Sequence, residues 1–220
     1  MNQESFSLSH VPSRIGGLLL AAGRGRRFDP DGKQQKLRAR LAHGEVLVVA
    51  SASRLLPWVD HLTVVVGPHS SGLVRELAGL AVNVVVCSQA DAGPGATLRC
   101  GLRASARAVA SEPPDGWLIA LGDMPFIAPD TYRLMCARLM DGIAARRSAV
   151  WRPTYADRPG HPVAVSATAV DRYLLQQAHP GKGEMPGLAA LWRKEPELLQ
   201  QIPVSDDGCI RDVDRPQDLL

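Results

Sequence analysis

The stretch Leu18-Leu19-Leu20-Ala21-Ala22-Gly23-Arg24-Gly25-Arg26-Arg27-Phe28, with Lys36-Leu37 after it, decides how this chain is read. An apolar, strand-like run passes straight into a glycine-bearing loop crowded with cations. Backbone N–H groups in such a loop cup phosphate oxygens, and the basic side chains around it neutralise them. Between positions 24 and 40 stand Arg24, Arg26, Arg27, Lys33, Lys36, Arg38 and Arg40, opposed only by Asp29 and Asp31. A polyanion such as a nucleoside triphosphate is the natural guest.

Two familiar phosphate loops do not fit. The P-loop pattern G-x-x-x-x-G-K-[ST] is absent, since no Gly-Lys-Ser or Gly-Lys-Thr occurs. The dinucleotide fingerprint G-x-G-x-x-G begins with Gly23 and Gly25. It then meets Phe28 where a third glycine should let helix and strand pack closely. A plain turn with solvated arginines remains the competing reading of Gly-Arg-Gly taken alone.

Composition narrows the class. With 220 residues, 45% of them hydrophobic and 21% charged, the chain is an ordinary globular sequence. A net charge of +3 is too small to suggest a nucleic-acid binder, and 5% aromatics argue against a base-stacking platform. Cys87, Cys100, Cys136 and Cys209 show neither C-x-x-C nor zinc spacing, so a reducing compartment and no structural zinc are expected. Arg14 with the apolar run behind it imitates a signal peptide. Arg24, Arg26 and Arg27 stand where cleavage would fall, and no apolar run reaches membrane-spanning length. The reading is therefore cytoplasmic, with residues 1–13 as a loose tail and residues 14–220 as one domain.

Apolar runs alternate with helical periodicity along the chain. Strands are expected over 15–22, 62–66, 82–87, 117–121, 149–152 and 161–165, with short ones at 202–204 and 209–213. Helices are expected over 46–56, 71–79, 96–111, 129–141, 169–178 and 187–194. The Pro/Gly-rich stretches 112–116, 157–162 and 179–187 read as loops within the domain. This order predicts an α/β fold, a three-layer α/β/α sandwich around a Rossmann-like, mostly parallel mixed sheet. Ligands of such sheets bind outside the carboxyl ends of the strands. The loop at 23–36, the segment 92–98, Leu121-Gly122-Asp123-Met124-Pro125 and Asp212-Val213-Asp214-Arg215-Pro216 can converge there.

Leu20-Ala21-Ala22-Gly23-x-Gly25-x-Arg27-Phe28 with Lys36-Leu37 resembles the signature of nucleotidyltransferases of the nucleotide-diphospho-sugar transferase fold. Gly93-Pro94-Gly95-Ala96-Thr97-Leu98 is similar to that group's Gly-Met-Ser-x-Ser-Leu loop in altered form. Gly122-Asp123-Met124-Pro125, Gly160-His161-Pro162 and Asp212-Val213-Asp214-Arg215-Pro216-Gln217-Asp218-Leu219 resemble its later motifs. Together they resemble the molybdenum cofactor cytidylyltransferases, the MobA-like group, from about residue 15 to 219. The insertion 29–35 makes Lys33 a rival for Lys36, and Leu37 after Lys36 favours the latter. Pro180-Gly181-Lys182-Gly183 stands where the group has Gly-Asp-x-Gly.

The resemblance implies transfer of CMP from CTP to the phosphate of a molybdopterin-type cofactor, with release of pyrophosphate and Mg²⁺ as cofactor. The nucleophile is already an anion, so charge neutralisation and in-line positioning matter more than a general base. On this reading Arg27 and Lys36 are catalytic, holding the triphosphate and its developing charge. Leu20, Ala21, Ala22, Gly23, Gly25, Gly93, Gly95 and Thr97 bind the nucleotide. Asp123 and Asp214 hold the metal, although Asp123 could instead be a turn residue and Asp214 a cap on the last turn. His161 and Asp212 face the acceptor. In this family Ala-Ala-Gly accompanies CTP and Ala-Gly-Gly accompanies GTP, and the Cβ of Ala22 would narrow the base pocket. Expected partners are CTP or another nucleoside triphosphate, the pterin phosphate and a client molybdoenzyme, with neither nucleic acid nor membrane. Rival readings are a nucleotidyltransferase of the same fold that uses GTP or acts on a sugar phosphate or another small phosphate, and a non-catalytic cofactor carrier or chaperone for a molybdoenzyme.

Overall fold

The computed structural model describes residues 14–23, 25, 27–29, 34–108, 112–177 and 185–220. In chain order the strands are β1 (Ile15–Ala21), β2 (His61–Val66), β3 (Val82–Val86), β4 (Gly116–Leu121), β5 (Val150–Tyr155), β6 (Arg158–Pro159), β7 (Val163–Ser166) and β8 (Leu199–Pro203). The helices are α1 (Leu47–Leu55), α2 (Ser71–Leu77), α3 (Pro94–Ala108), α4 (Pro129–Ala144), α5 (Ala167–Gln176) and α6 (Ala189–Lys194).

The strands form one eight-stranded mixed sheet in the order β3-β2-β1-β4-β7-β5-β6, with β8 on β5. β1, β2, β3 and β4 are mutually parallel, and β7 runs antiparallel to both β4 and β5. β5 therefore points the same way as β4, and their carboxyl ends share one edge of the sheet. The chain leaves β1 toward β2 and later crosses back to place β4 on its other side. That reversal makes the carboxyl end of the β1–β4 pair the crevice where such sheets bind ligands.

β1 is central and apolar on both faces, as a strand covered by two helical layers must be. Leu18 and Leu19 are wholly buried on opposite faces, each contributing on the order of 2 kcal/mol. Leu19 joins the layer of α1 and α4, which includes Leu47, Tyr132 and Leu139. Leu18 joins the layer of α3, α5 and α6, which includes Leu98, Tyr173 and Leu191.

Most expected elements form, with shifted ends. The segment 209–213, expected as a strand, instead makes a 3₁₀ turn at Asp207–Ile210 and then extended coil. Local hydrogen bonding wins there. The Asp206 carboxylate accepts from Gly208 N–H at 2.9 Å and also takes Ala128 N–H and the Thr131 hydroxyl, which ties the turn to the start of α4. The expected loop at 157–162 begins with β6, paired to β5 through a turn in which Ala156 and Asp157 hold φ of 46° and 60°. Two-residue turns of that kind normally carry Asn-Gly, so Ala-Asp hid the hairpin. The ends of two expected helices, 109–111 and 178, lie outside the described residues, as do the tail 1–13, Lys33 and 180–183.

Candidate active site

The turn after β4 is tied down on three sides. Gly122 N–H donates to the Leu20 carbonyl at the end of β1, at 2.9 Å. The buried Ser51 hydroxyl of α1 donates to the Gly122 carbonyl at 3.0 Å. Val213 N–H donates to the Asp123 carbonyl at 2.9 Å, which binds the C-terminal segment to the same turn. Asp123 thus projects from a fixed backbone at the carboxyl edge, while Met124 and Ile127 beside it are buried in the core.

Lys36 reaches this turn from the glycine loop. The loop is anchored by Phe28 and Leu37, both buried in the core, so the residue that breaks the dinucleotide fingerprint is a hydrophobic peg. Gly25 holds φ of 61° and lies directly under Lys36; a Cβ there would come within 2.8 Å of the lysine's own Cβ. Only glycine suits that backbone and that approach. Lys36, only 9% exposed, extends its Nζ to 2.7 Å from Asp123 Oδ2 and 3.2 Å from Asp214 Oδ1. Burial alone would lower its pKa. The Asp123 and Asp214 carboxylates outweigh that and raise it, so the ammonium stays charged.

Asp214 also meets Arg27 at 2.5 Å, with the arginine side chain 78% exposed. Asp214 is not the cap of the last turn. Asp218 does that, its carboxylate accepting Asp214 N–H at 3.0 Å and Arg215 N–H at 2.7 Å. The Asp214 carboxylate is left to the cations. Asp212 completes a cluster in which one carboxylate oxygen each from Asp123, Asp212 and Asp214 lies within 4.8 Å of the others. The Asp212 carboxyl is raised above the usual range, by partial desolvation first and by the Asp214 carboxylate second.

A cavity of about 750 Å³ opens at this edge. Leu20, Ala21, Ala22, Gly23, Gly25, Arg27, Lys36, Gly93, Thr97, Asp123, Asp212 and Asp214 all line it. Phe28, Leu37, Pro94 and Leu121 also line it; they stand in the motifs but were given no site role, and Ala90 and Asp91, which line it too, lie outside every motif. Two expected site residues do not line the cavity. Gly95 lies in the first turn of α3, donates to the Met185 carbonyl at 3.1 Å, and leaves room for no Cβ, which would stand 2.1 Å from the Pro186 carbonyl oxygen. Its smallness serves backbone packing. His161 precedes β7 at the level of the last residues of β4, with Nδ1 3.3 Å from the Ile119 carbonyl. Burial chiefly, with the nearby Arg152 charge adding, pushes its pKa down to about 4, so the ring is neutral at pH 7.

The arrangement suits a hard divalent cation in its chemistry. The donors are all carboxylate oxygens, and such ions usually take one or two carboxylates and complete their shell with phosphate oxygens and water. Lys36 already shows that a cation between Asp123 and Asp214 is electrostatically favoured. Among the described residues no helix is long and apolar enough to cross a membrane.

Sheet order, crevice and charge cluster define the class, a nucleotidyltransferase of the nucleotide-diphospho-sugar transferase fold. Residues 17–196 match the family of the MobA-like NTP transferase domain, and the chain belongs to that family. A nucleotidyl transferase from Methanothermobacter has the same fold, with a TM-score of 0.72 and 24% identity over 94% of each chain. Rv0371c of Mycobacterium tuberculosis H37Rv is 27% identical over 94% of this chain and 95% of its own, with a TM-score of 0.68. That protein is also known in complex with manganese. The molybdopterin-guanine dinucleotide biosynthesis protein A of Archaeoglobus fulgidus shares the fold at 16% identity, with a TM-score of 0.60 over 93% of this chain and 94% of its own. The bifunctional enzyme IspD/IspF of Gluconobacter oxydans is 38% identical over 117 residues, which is 52% of this chain and 29% of that protein. The chain thus matches less than a third of that relative's length.

Proposed function

We propose that the chain is a Mg²⁺-dependent cytidylyltransferase that moves CMP from CTP onto the phosphate of a molybdopterin-type cofactor and releases pyrophosphate. The observation that carries this is Lys36 Nζ held between Asp123 and Asp214 at the cavity, with Arg27 on the same Asp214. Lys36 and Arg27 can turn from the carboxylates to the triphosphate oxygens when the nucleotide enters. Asp123, Asp214 and Asp212 would hold Mg²⁺, whose part is to neutralise charge on the phosphates. The backbone of Gly23 and of Gly25 and Thr97 at the start of α3 contact the nucleotide, and the Cβ of Ala22 narrows the base pocket toward a pyrimidine. The acceptor approaches from the β7 side, where His161 stands. Work in the cytoplasm and delivery to a client molybdoenzyme complete the proposal.

The 38% identity to part of a bifunctional IspD/IspF favours one second reading, the same transfer onto a small organic phosphate. One experiment separates the two. The purified protein is incubated with Mg²⁺, each nucleoside triphosphate and either molybdopterin or small phosphates, and pyrophosphate is measured. Release that needs both CTP and molybdopterin supports the proposal. Release with small phosphates alone supports the second reading, and no release in any combination leaves a non-catalytic carrier.

A further inference from the structure

Arg152 is the one charged residue of β5, set between Trp151 and Pro153. Its Nε donates to the Gly160 carbonyl at 3.2 Å, and its guanidinium lies 5.8 Å from the ring centroid of Trp192 in α6. Among the described residues it has no other hydrogen bond and no acidic partner. Half-buried charges are normally paired, and an unpaired guanidinium with its two terminal nitrogens open is a demand for an anion. Burial lowers its pKa from the ordinary value, but an arginine stays charged at neutral pH.

The sheet puts this demand near the chemistry. Val150 pairs with Val165 and Trp151 with Ala164, so Arg152 follows on beside Val163. Val163 pairs with Ile119 of β4, two residues from Leu121 at the edge of the cavity. His161, which bonds Ile119, lies within electrostatic reach of both Arg152 and Asp123. Trp192 packs against the same layer as Leu98 at the start of α3, the helix that also lines the cavity. Arg152 therefore stands on the side of Asp123 away from the β1 loop that bears Arg27 and Lys36.

We propose that Arg152, braced by Trp192 and the Gly160 carbonyl, binds the phosphate of the acceptor and sets it for attack. The inference rests on the nucleotidyl-transfer reading. A guanidinium presents a planar fork that matches two phosphate oxygens at once, and a fixed fork orients as well as attracts. Arg27 and Lys36 hold the donor phosphates, and Arg152 holds the acceptor phosphate.

The test uses inorganic phosphate as probe. The protein is saturated with Mg²⁺ and a CTP analogue carrying a methylene bridge between the α and β phosphorus, and phosphate is titrated in by calorimetry. Arg152→Gln should weaken phosphate at least tenfold while affinity for the analogue stays within twofold, and Arg152→Lys should recover part of the loss. The same variants should raise the KM for the acceptor, leaving the KM for CTP unchanged. Equal phosphate binding by Arg152→Gln and the parent overturns the proposal, as does no phosphate binding to the parent's analogue complex. Failure of the parent to bind the analogue at all would instead overturn the nucleotidyl-transfer reading, and this inference with it. A lower melting temperature in Arg152→Gln together with normal phosphate affinity marks a bracing role only and also overturns it.

Discussion

Lys36→Met keeps the length of the side chain and removes its charge. The parent ammonium stands 2.7 Å and 3.2 Å from two carboxylates, and Asp212 lies in the same cluster. Without it Asp123 and Asp214 face one another, and among the described residues the exposed Arg27 is the cation still paired with Asp214. Removing one partner of a fully buried pair costs about 3–5 kcal/mol. Here the two aspartate side chains keep 21% and 23% of their surface, so solvent screens a good part of the repulsion. A loss of about 1–2 kcal/mol is expected, which for a chain of this size lowers the melting temperature by roughly 2–8 °C. The assay is thermal unfolding in EDTA and again in millimolar Mg²⁺. The deficit should shrink in Mg²⁺, because a divalent cation takes over the neutralising role in the more negative cluster. Turnover should fall about 10²–10³-fold, the usual cost of losing one donor aimed at developing charge. An unchanged melting temperature in EDTA, with turnover within threefold of the parent, would refute the reasoning.

Three further outcomes follow from the same geometry. Gly23→Ala and Gly25→Ala should part company. Among the described residues no atom lies within 4 Å of a Cβ at Gly23, so that variant should unfold like the parent yet bind CTP more weakly, whereas Gly25→Ala, with φ of 61° and the Lys36 Cβ in the way, should lose about 1–2 kcal/mol of stability in urea unfolding as well as activity. Ala22→Gly should raise the ratio of GTP to CTP turnover, and an unchanged ratio removes the steric account of base choice. His161 titrates at about 4 when folded and near 6.5 when unfolded, so between those values the unfolded chain binds the extra proton; stability is full above that window and falls as pH drops through it, by on the order of 3 kcal/mol at most. His161→Gln should flatten that part of the urea-unfolding profile, and an unchanged slope would mean the ring is not held neutral.

The loop between β1 and α1 was legible because its glycines suit a bent backbone and its lysine and arginine suit phosphate, while leucine after lysine picked out Lys36 by resemblance and its anchoring role showed only in the packing. The order of strands and helices was legible from periodicity. Gly95 misled because a glycine in a binding motif and a glycine under a backbone crossing look alike in one dimension; only the Pro186 carbonyl against it tells them apart. The segment 209–213 misled because the apolar Cys209, Ile210 and Val213 suited a strand, while Asp206 imposed a turn. Asp218 freed Asp214 from capping by taking the Arg215 N–H from the third position of the last turn, a capping-box spacing disguised by an arginine where Ser or Thr normally stands. Arg152 did carry a signal, a charge within an otherwise apolar strand, but its meaning depends on which strands flank it, and the antiparallel insertion of β7 between β4 and β5 is not written in local pattern.

The central claim is attack on the α-phosphorus of CTP with pyrophosphate as the leaving group. CTP labelled with ³²P at either the α or the γ position, incubated with the protein, Mg²⁺ and molybdopterin, tests it directly. The account predicts that all transferred label comes from the α position and that the γ label appears only in pyrophosphate. Label from the γ position in the pterin product, or released as inorganic phosphate, would contradict it.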